Sequence, residues 1–463
     1  MRCVQRSPRA RVRGVLAGRP QSSGERERWY RRVGLVLAAV TVSACTEGVI
    51  PTAPSNQAAP GINSASKGGV DRATAPATLA WEAKARDLVT RAGRTPLDAV
   101  RIYALLGVAQ YGAAVAADDA LGVEVDDGGH AAYEVRRAAI GAASNAVLSY
   151  LFPPTLLVPN ASGEMAAQLA AEAIGANGKI HPWYARGLPI GEAMGRVMTD
   201  RASLDGWSRE WNGVVYAKGT PLVAWYQTIP PVIPPATTPK FSPPAGHQWA
   251  RITPYFLDRA DQFKAPPPPA FGSPAFVNAV ALVHDTVFHR TAYQLSEARF
   301  WNLSVGTPTA LGYWDERAAA YILEDGLNDR EASHVYALTN AAAMDASIGC
   351  WETKYRELVL RPSQVDPTIA ARVGGLPLGL PNHPSYPSGH SCVSAGAATV
   401  LESFFPGKTA ELEDGVTRAG NSRVYGGIHY QFDVVEGQAL GRRVGAWALN
   451  YDRTRGLLTS VGR

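Results

Sequence analysis

The sequence predicts an all-α fold, a helical bundle with an N-terminal helical extension. Three Ala-rich segments, residues 80–118, 132–151 and 162–204, carry apolar residues at helical spacing. Stretches containing proline and glycine separate these segments, and no strand pattern competes with them. With 46% hydrophobic residues and 11 tryptophans among 463 residues, the chain can bury a substantial core.

Residues 1–44 have the layout of an export signal, because an arginine-rich flank precedes an apolar run at 33–42 and small residues follow it. The run is too short to span a bilayer. Its end, "VSAC", resembles a bacterial lipobox in which Cys45 is lipidated. By the sorting rules of such lipoproteins, Thr46 favours the outer membrane, facing the periplasm or the cell surface. An ordinary cleaved signal, which would give a secreted or periplasmic protein, is the alternative.

Residues 45–78 are rich in Ala, Pro, Ser and Gly, which is typical of a flexible tether. We therefore expect contact with a membrane only through the lipid anchor. Loss of residues 1–44 removes ten arginines and two glutamates, so the formal charge changes from 45 − 40 = +5 to 35 − 38 = −3. The basic character belongs to the signal, and no nucleic-acid partner is expected.

Beyond the tether we expect an N-terminal helical region at 79–275 and a second helical bundle at 276–455. Within the first region, residues 205–275 are rich in proline and contain four tryptophans. A long irregular stretch in a compact protein is usually functional or disordered. The tryptophans favour an ordered loop that lines a pocket, and a plain surface wrap is the alternative. In the second region, helices are expected at 276–360, 391–405 and 430–450.

The first motif is "KYRELVLRP", which contains Lys354 and Arg361. Seven residues make two helical turns to within about 20°, so a continuous helix would place both cations on one stripe. Two stacked cations suit an anion, and a solvated basic face is the alternative. Trp351 and Leu358 fall on the same stripe, which indicates that the face is half-buried, where unpaired cations are costly.

The second motif is "PSGHSCVSAGAATV", residues 387–400. Ser388 can cap the following helix, and Gly389 allows a close approach of the backbone. A helix N-terminus binds anions through its free N–H groups, and His390 stands at that point. A capped helix with a hydrogen-bonded histidine is the alternative.

The third motif is "SRVYGGIHYQFD", which contains Arg423, His429 and Asp433. Asp433 can fix the tautomer of His429, which then presents its other nitrogen to a metal or phosphorus centre. Taken together, the three motifs supply three cations, a helix end and two histidines. That set suits a tetrahedral or trigonal-bipyramidal oxyanion such as phosphate or vanadate.

The motifs, in this order and spacing, resemble the superfamily of type 2 phosphatidic acid phosphatases and vanadium haloperoxidases. The long helical extension, and the lack in the sequence of a series of membrane spans, favour the haloperoxidase branch. The resemblance implies a helical bundle of the vanadium haloperoxidase and acid phosphatase type over roughly residues 80–450. It also implies a vanadate cofactor, with hydrogen peroxide, a halide and a small organic molecule as substrates. A homo-oligomer is expected by analogy only.

Individual roles follow from the same resemblance. His429 would be the vanadium ligand, and His390 would be the acid or base. Lys354 would also polarise the bound peroxide. His383 resembles a histidine of algal bromoperoxidases, which favours bromide or iodide over chloride. The vanadate-binding set would be Lys354, Arg361, Ser388, Gly389, Arg423 and Asp433.

Three points stay open in the sequence. Haloperoxidases often place an acid near an upstream tryptophan to pair with the second arginine, whereas "FWNLSVG", residues 300–306, contains none, so the partner of Arg423 is not evident. Cys350 and Cys392 can form a disulfide or two buried thiols. The same cradle would also suit an acid phosphatase with a phosphohistidine at His429, and a helical binding protein with an inactive site is a third alternative.

The lipobox resemblance generates a direct prediction. Replacing Cys45 by Ser removes the thiol to which lipid would be attached, so we expect the protein to leave the membrane fraction or to accumulate unprocessed. Fractionation of cells and intact-mass measurement check this. A wild-type mature N-terminus that lies elsewhere and carries no lipid would contradict the prediction.

Overall fold

The computed structural model describes residues 75–122, 129–174, 178–219, 222–227, 243–373 and 380–462. The described residues are helical and form no strand, which confirms the all-α prediction. The signal, Cys45 and nearly all of the tether lie outside the described residues. The boundary expected between residues 275 and 276 stays a prediction.

The described residues of the first half of the chain form five α-helices. The segment with helical spacing at 80–118 contains two of them, because Thr95 begins a new helix with a capping box to Asp98 and Pro96 occupies its first turn. The helices are α1 Ala77–Arg91, α2 Pro96–Leu121, α3 His130–Leu151, α4 Ala161–Ala173 and α5 Tyr184–Leu204.

Within 243–373 and 380–462, the structure shows a short 3-10 turn at Trp249–Arg251 and then nine α-helices. Residues 276–360 divide into several helices. The helices are α6 Pro274–Phe288, α7 Ala292–Phe300, α8 Thr309–Asp325, α9 Asp329–Glu357, α10 Pro362–Val365, α11 Pro367–Val373, α12 Gly389–Phe404, α13 Thr409–Tyr425 and α14 Gln431–Arg455.

Helix α9 is the central element and packs against α2, α12 and α14. Asn328 begins it by accepting hydrogen bonds from the backbone N–H groups of Arg330 and Glu331. Its residues are largely buried alanines and other small side chains, which let several helices approach at once. Helix α2 is long and apolar enough to cross a membrane, but 83% of its most apolar stretch is buried inside the protein.

Helices α12 and α14 cross closely, and this contact aligns the second and third motifs. A Cβ atom placed on Gly441 of α14 would lie 2.4 Å from the carbonyl oxygen of Cys392 in α12. At the same interface the Ser388 N–H donates to the carbonyl of Asp433 at 2.9 Å. The glycine therefore sets the distance between the two motifs.

We expect Gly441→Ala to destabilise the protein by about 1–3 kcal/mol, because the added methyl group overpacks a backbone contact. Urea unfolding measures the change. Gly407→Ala is the matched control, since nothing lies within 4 Å of its added Cβ. Equal unfolding free energies for the two variants would contradict this account of the interface.

Candidate active site

The three motifs meet where α9 ends and α12 begins. The Ser385 N–H donates to the carbonyl of Val359 at 2.9 Å, which joins the segment after α9 to the segment before α12. The Arg361 Nη1 donates to the carbonyl of Ile428 at 2.6 Å, which adds the third motif. Residues far apart in the sequence thus surround one small volume.

The two motif cations do not share a helical stripe, so that expectation is wrong. Helix α9 ends at Glu357, because Leu358 adopts a left-handed conformation with φ of 50°. Arg361 has extended backbone angles before the short helix α10. The turn nevertheless buries Lys354 and Arg361 completely in one site.

His429 presents the lone pair of its Nε2 to Arg361. Arg361 Nη1 lies 3.0 Å from His429 Nε2, and His429 Nδ1 lies 2.8 Å from Asp433 Oδ2. A guanidinium can only donate, so Nε2 accepts and the ring proton resides on Nδ1. Burial, followed by the charges of Arg361 and Lys354, holds the pKa of His429 well below its usual range. The neutral imidazole can therefore act as a ligand or a nucleophile through Nε2.

Asp433 connects the second and third motifs. His429 lies before α14, which begins at Gln431, so Asp433 contacts it from the first turn of that helix. Its Oδ2 accepts from Ser385 Oγ at 2.5 Å and from the Tyr430 N–H at 3.1 Å, besides His429. Burial raises the pKa of Asp433 to about 6, so the group is a carboxylate at neutral pH.

Lys354 is surrounded by backbone carbonyls. Its Nζ donates to Pro384 O at 3.0 Å, to Ser385 O at 2.8 Å and to Pro387 O. Burial lowers the pKa of Lys354 to about 8, which leaves it mainly charged at neutral pH. An ammonium has three N–H donors, and these three carbonyls occupy all of them. Lys354 can therefore donate to an oxyanion only if it gives up one of these carbonyls.

His390 occupies the first turn of α12. Ser388 caps the helix, since its Oγ accepts from the Ser391 N–H at 3.4 Å. A Cβ on Gly389 would lie 3.0 Å from the Trp351 ring, so the glycine permits this packing. The His390 Nε2 is shielded from solvent and has no hydrogen-bond partner among the described residues. Burial, followed by the charge of Arg423, holds the pKa of His390 well below its usual range.

Arg423 is buried on α13 without a carboxylate partner among the described residues. Its Nε donates to Ser422 Oγ at 3.1 Å and its Nη2 to the carbonyl of Ala298 at 3.4 Å. Burial, reinforced by Arg361, lowers its pKa to about 9, and it stays cationic at neutral pH. The sequence analysis predicted no helix at the position of α13, although Leu412, Val416 and Ala419 have helical spacing.

His383 lies against the cations rather than on the surface. Arg361 Nη2 lies 3.1 Å from its Nδ1, and Arg361 Nε donates to its carbonyl at 3.1 Å. Its ring centroid is 5.1 Å from that of Trp351. Both histidines of "HPSYPSGH" therefore belong to the same site.

One further contact was not evident in the sequence. Ser385, the donor to Asp433, lies two residues before the second motif, and nothing distinguished it from its neighbours. A loop from the proline-rich region covers the end of α9, because the Trp351 indole N–H and the Tyr355 hydroxyl both donate to the carbonyl of Ala245. Cys350 and Cys392 are both buried free thiols, so the disulfide alternative is not realised.

The charges and open positions fit an oxyanion. The three motifs bury three cations and one carboxylate, Asp433, and most hydrogen bonds of the cations go to neutral acceptors. Burying unpaired charge is costly, so an anion would stabilise this centre. The unpaired His390 Nε2 offers a further contact for a bound oxygen.

Comparison with known structures agrees with this geometry. The fold is similar to that of the first bacterial vanadium-dependent iodoperoxidase, with a TM-score of 0.64, 22% identity, and coverage of 80% of this chain and 95% of that one. The apo form of a bacterial vanadium-dependent chloroperoxidase gives a TM-score of 0.57 and 15% identity, with coverage of 80% of this chain and 96% of that one. The holo form gives a TM-score of 0.59 and 14% identity, with coverage of 82% and 96%. The protein has the vanadium haloperoxidase fold.

A family model agrees with this assignment over a shorter range. Residues 407–455 match the model described as the VCPO second helical-bundle domain. They include α13 and α14, which carry Arg423 and Asp433. Comparison with curated protein sequences gives no match. The fold that the resemblance implied is confirmed by the structural matches.

We expect Asp433→Asn to weaken vanadate binding about 10- to 100-fold, because loss of a hydrogen-bonding partner behind a metal ligand typically has this effect. The amide can donate to His429 Nδ1, which moves the ring proton to Nε2. Calorimetric titration with orthovanadate measures the affinity.

Asp452→Asn is the matched control, because Asp452 Oδ2 lies 2.8 Å from His334 Nε2 in another histidine–aspartate pair. If both variants bind vanadate as the unmodified protein does, the role assigned to Asp433 is wrong.

Proposed function

We propose that the protein is a vanadate-dependent haloperoxidase that uses hydrogen peroxide to oxidise a halide to a hypohalous species. The observation that carries the proposal is the His429 imidazole, whose Nε2 lone pair faces the buried Arg361 guanidinium in a site that also buries Lys354 and Arg423. The match of the fold to vanadium-dependent peroxidases supports it. A small organic molecule would then accept the oxidised halogen.

Residues of the three motifs would hold the cofactor. His429 Nε2 would bind vanadium, while Arg361 and Arg423 would donate to the vanadate oxygens. Ser388 and the Gly389 N–H at the start of α12 would add neutral donors. When bound, vanadate supplies a Lewis-acid centre that activates peroxide toward the halide.

The remaining side chains would manage protons and charge. The neutral His390 imidazole has a free Nε2, so it can take a proton from incoming peroxide and later return one. Lys354 would offset negative charge that develops during the reaction. These groups act by position and electrostatics, because the cofactor carries the chemistry.

We further propose that bromide and iodide are better substrates than chloride. The most similar of the three compared structures is a bacterial iodoperoxidase. The contact of His383 with Arg361 and Trp351 places a second imidazole beside the oxyanion cations, where it alters the space and polarity for a halide. Export as an outer-membrane lipoprotein remains a proposal based on residues 1–45, and oligomerisation one based on analogy.

A phosphate monoester hydrolase is the second candidate, because the tautomer of His429 leaves the Nε2 lone pair as a nucleophile as well as a metal ligand. The Nε2 lone pair could attack phosphorus to form a phosphohistidine, His390 in its protonated form would give its proton to the leaving oxygen, and water would then hydrolyse the phosphohistidine. The cations would stabilise the negative charge of the transition state. The two activities can be distinguished in one experiment.

We expect the purified protein, supplied with orthovanadate, to oxidise bromide and iodide with peroxide and to oxidise chloride poorly. Inorganic phosphate should compete with vanadate for the same cations. Halide oxidation is followed by bromination of a dye and by triiodide absorbance, and hydrolysis of p-nitrophenyl phosphate is assayed in parallel without vanadate.

His429→Ala is the control, because it should abolish every activity that depends on this site. Hydrolysis of the phosphate ester without oxidation of any halide from acidic to neutral pH would refute the haloperoxidase proposal. Efficient chloride oxidation would refute the proposed halide preference alone.

A further inference from the structure

Within the described parts of the chain, no carboxylate pairs with Arg423. Its side chain is buried, and no ion pair involves it among the described residues. The nearest described acid on the adjoining helix α7, Glu297, is instead engaged by Arg418. A backbone group faces Arg423 in its place.

That backbone group belongs to the C-terminal end of α7. Thr291 begins the helix with a capping box, and Phe300 ends it. The last four carbonyls of a helix lack partners within it and carry a partial negative charge. The Trp301 N–H turns back to the carbonyl of Glu297, the Asn302 N–H turns back to that of Arg299, and Arg423 Nη2 donates to that of Ala298.

The same helix end adjoins His390. Interactions with the backbone of Trp301 and Asn302 favour the protonated imidazole, opposing the lowering of its pKa by burial and Arg423. The chain leaves this end through Leu303, a non-glycine residue with φ of 32°. Such backbone strain persists only where surrounding contacts require it.

An ion pair fixes α7 against α13. Glu297 is 5% exposed, and its two carboxylate oxygens accept from Arg418 Nε at 2.8 Å and from Arg418 Nη2 at 2.9 Å. Glu297 directly precedes Ala298, and Arg418 lies five residues before Arg423 on α13. A two-point ion pair therefore sets the register between the carbonyl of Ala298 and the guanidinium of Arg423.

We propose that Glu297 is a positioning residue for the oxyanion site. Its ion pair with Arg418 holds the negative end of α7 against Arg423, where that helix end replaces the missing carboxylate. Because carbonyl dipoles orient the guanidinium without neutralising it, the full positive charge remains available to an anion. This inference rests on the proposed oxyanion site and does not depend on halide oxidation.

The test compares anion affinity with stability in the full chain. We expect Glu297→Gln to raise the dissociation constants for vanadate and for inorganic phosphate about tenfold, as is typical of lost support behind a ligand-binding group. Arg418→Lys keeps the charge but loses the two-point geometry, so its affinity should fall between those of Glu297→Gln and the unmodified protein. Calorimetric titration gives the affinities, and thermal unfolding gives the stability of each variant.

Glu413→Gln is the matched control. Glu413 lies on α13, like Arg418, and accepts two hydrogen bonds from Arg442 of α14. Because this pair is more exposed than Glu297, Glu413→Gln should shift thermal unfolding less than Glu297→Gln does, and it should leave both dissociation constants unchanged.

Equal affinities for Glu297→Gln and Glu413→Gln would overturn the proposal, as would an Arg418→Lys protein that binds anions as the unmodified protein does. If Glu297→Gln does not fold, Arg418→Lys decides between these outcomes. Weakened phosphate binding in a protein that oxidises no halide would support the role of Glu297 and would refute only the proposed enzyme activity.

Discussion

The burial of three cations around a single carboxylate is the constraint on which the rest of this structure depends. Lys354, Arg361 and Arg423 are removed from water, and Asp433 is the only acid shown to contact the site residues among the described parts of the chain. An ion buried without compensation carries a large desolvation penalty. The fold must therefore provide other stabilising contacts, or leave room for an anion.

Main-chain carbonyls provide those contacts. Lys354 is held by the loop before α12, Arg361 by the carbonyls of His383 and Ile428, and Arg423 by the end of α7. Carbonyl dipoles orient and partly solvate a cation but do not neutralise it. The site is thus rigid and positively charged, which is the combination that an oxyanion of three or more negative oxygens requires.

The identity of the site was largely predictable from the sequence, but its local geometry was not. The order and spacing of residue types in the motifs indicated that Lys354 and Arg361 belong to one site, and likewise His429 and Asp433. The helical stripe was wrong because the left-handed turn at Leu358 breaks the helix, and nothing in "KYRELVLRP" specifies that conformation at a leucine. The contacts of Arg423 with α7 and of Ser385 with Asp433 are tertiary, and single-sequence patterns carry no information on which backbone carbonyl will face a given cation.

Binding of vanadate at His429 is tested most directly by a crystal structure of the protein soaked with orthovanadate, with anomalous data collected to locate vanadium. We expect vanadium bonded to His429 Nε2, and Arg361 Nη1 moved from that nitrogen to a vanadate oxygen. Arg423 should contact the anion while its Nη2 still donates to the carbonyl of Ala298. Vanadium seated away from His429, or an anion held with Arg361 still donating to Nε2, would contradict the central claim that these cations are preorganised around an imidazole ligand.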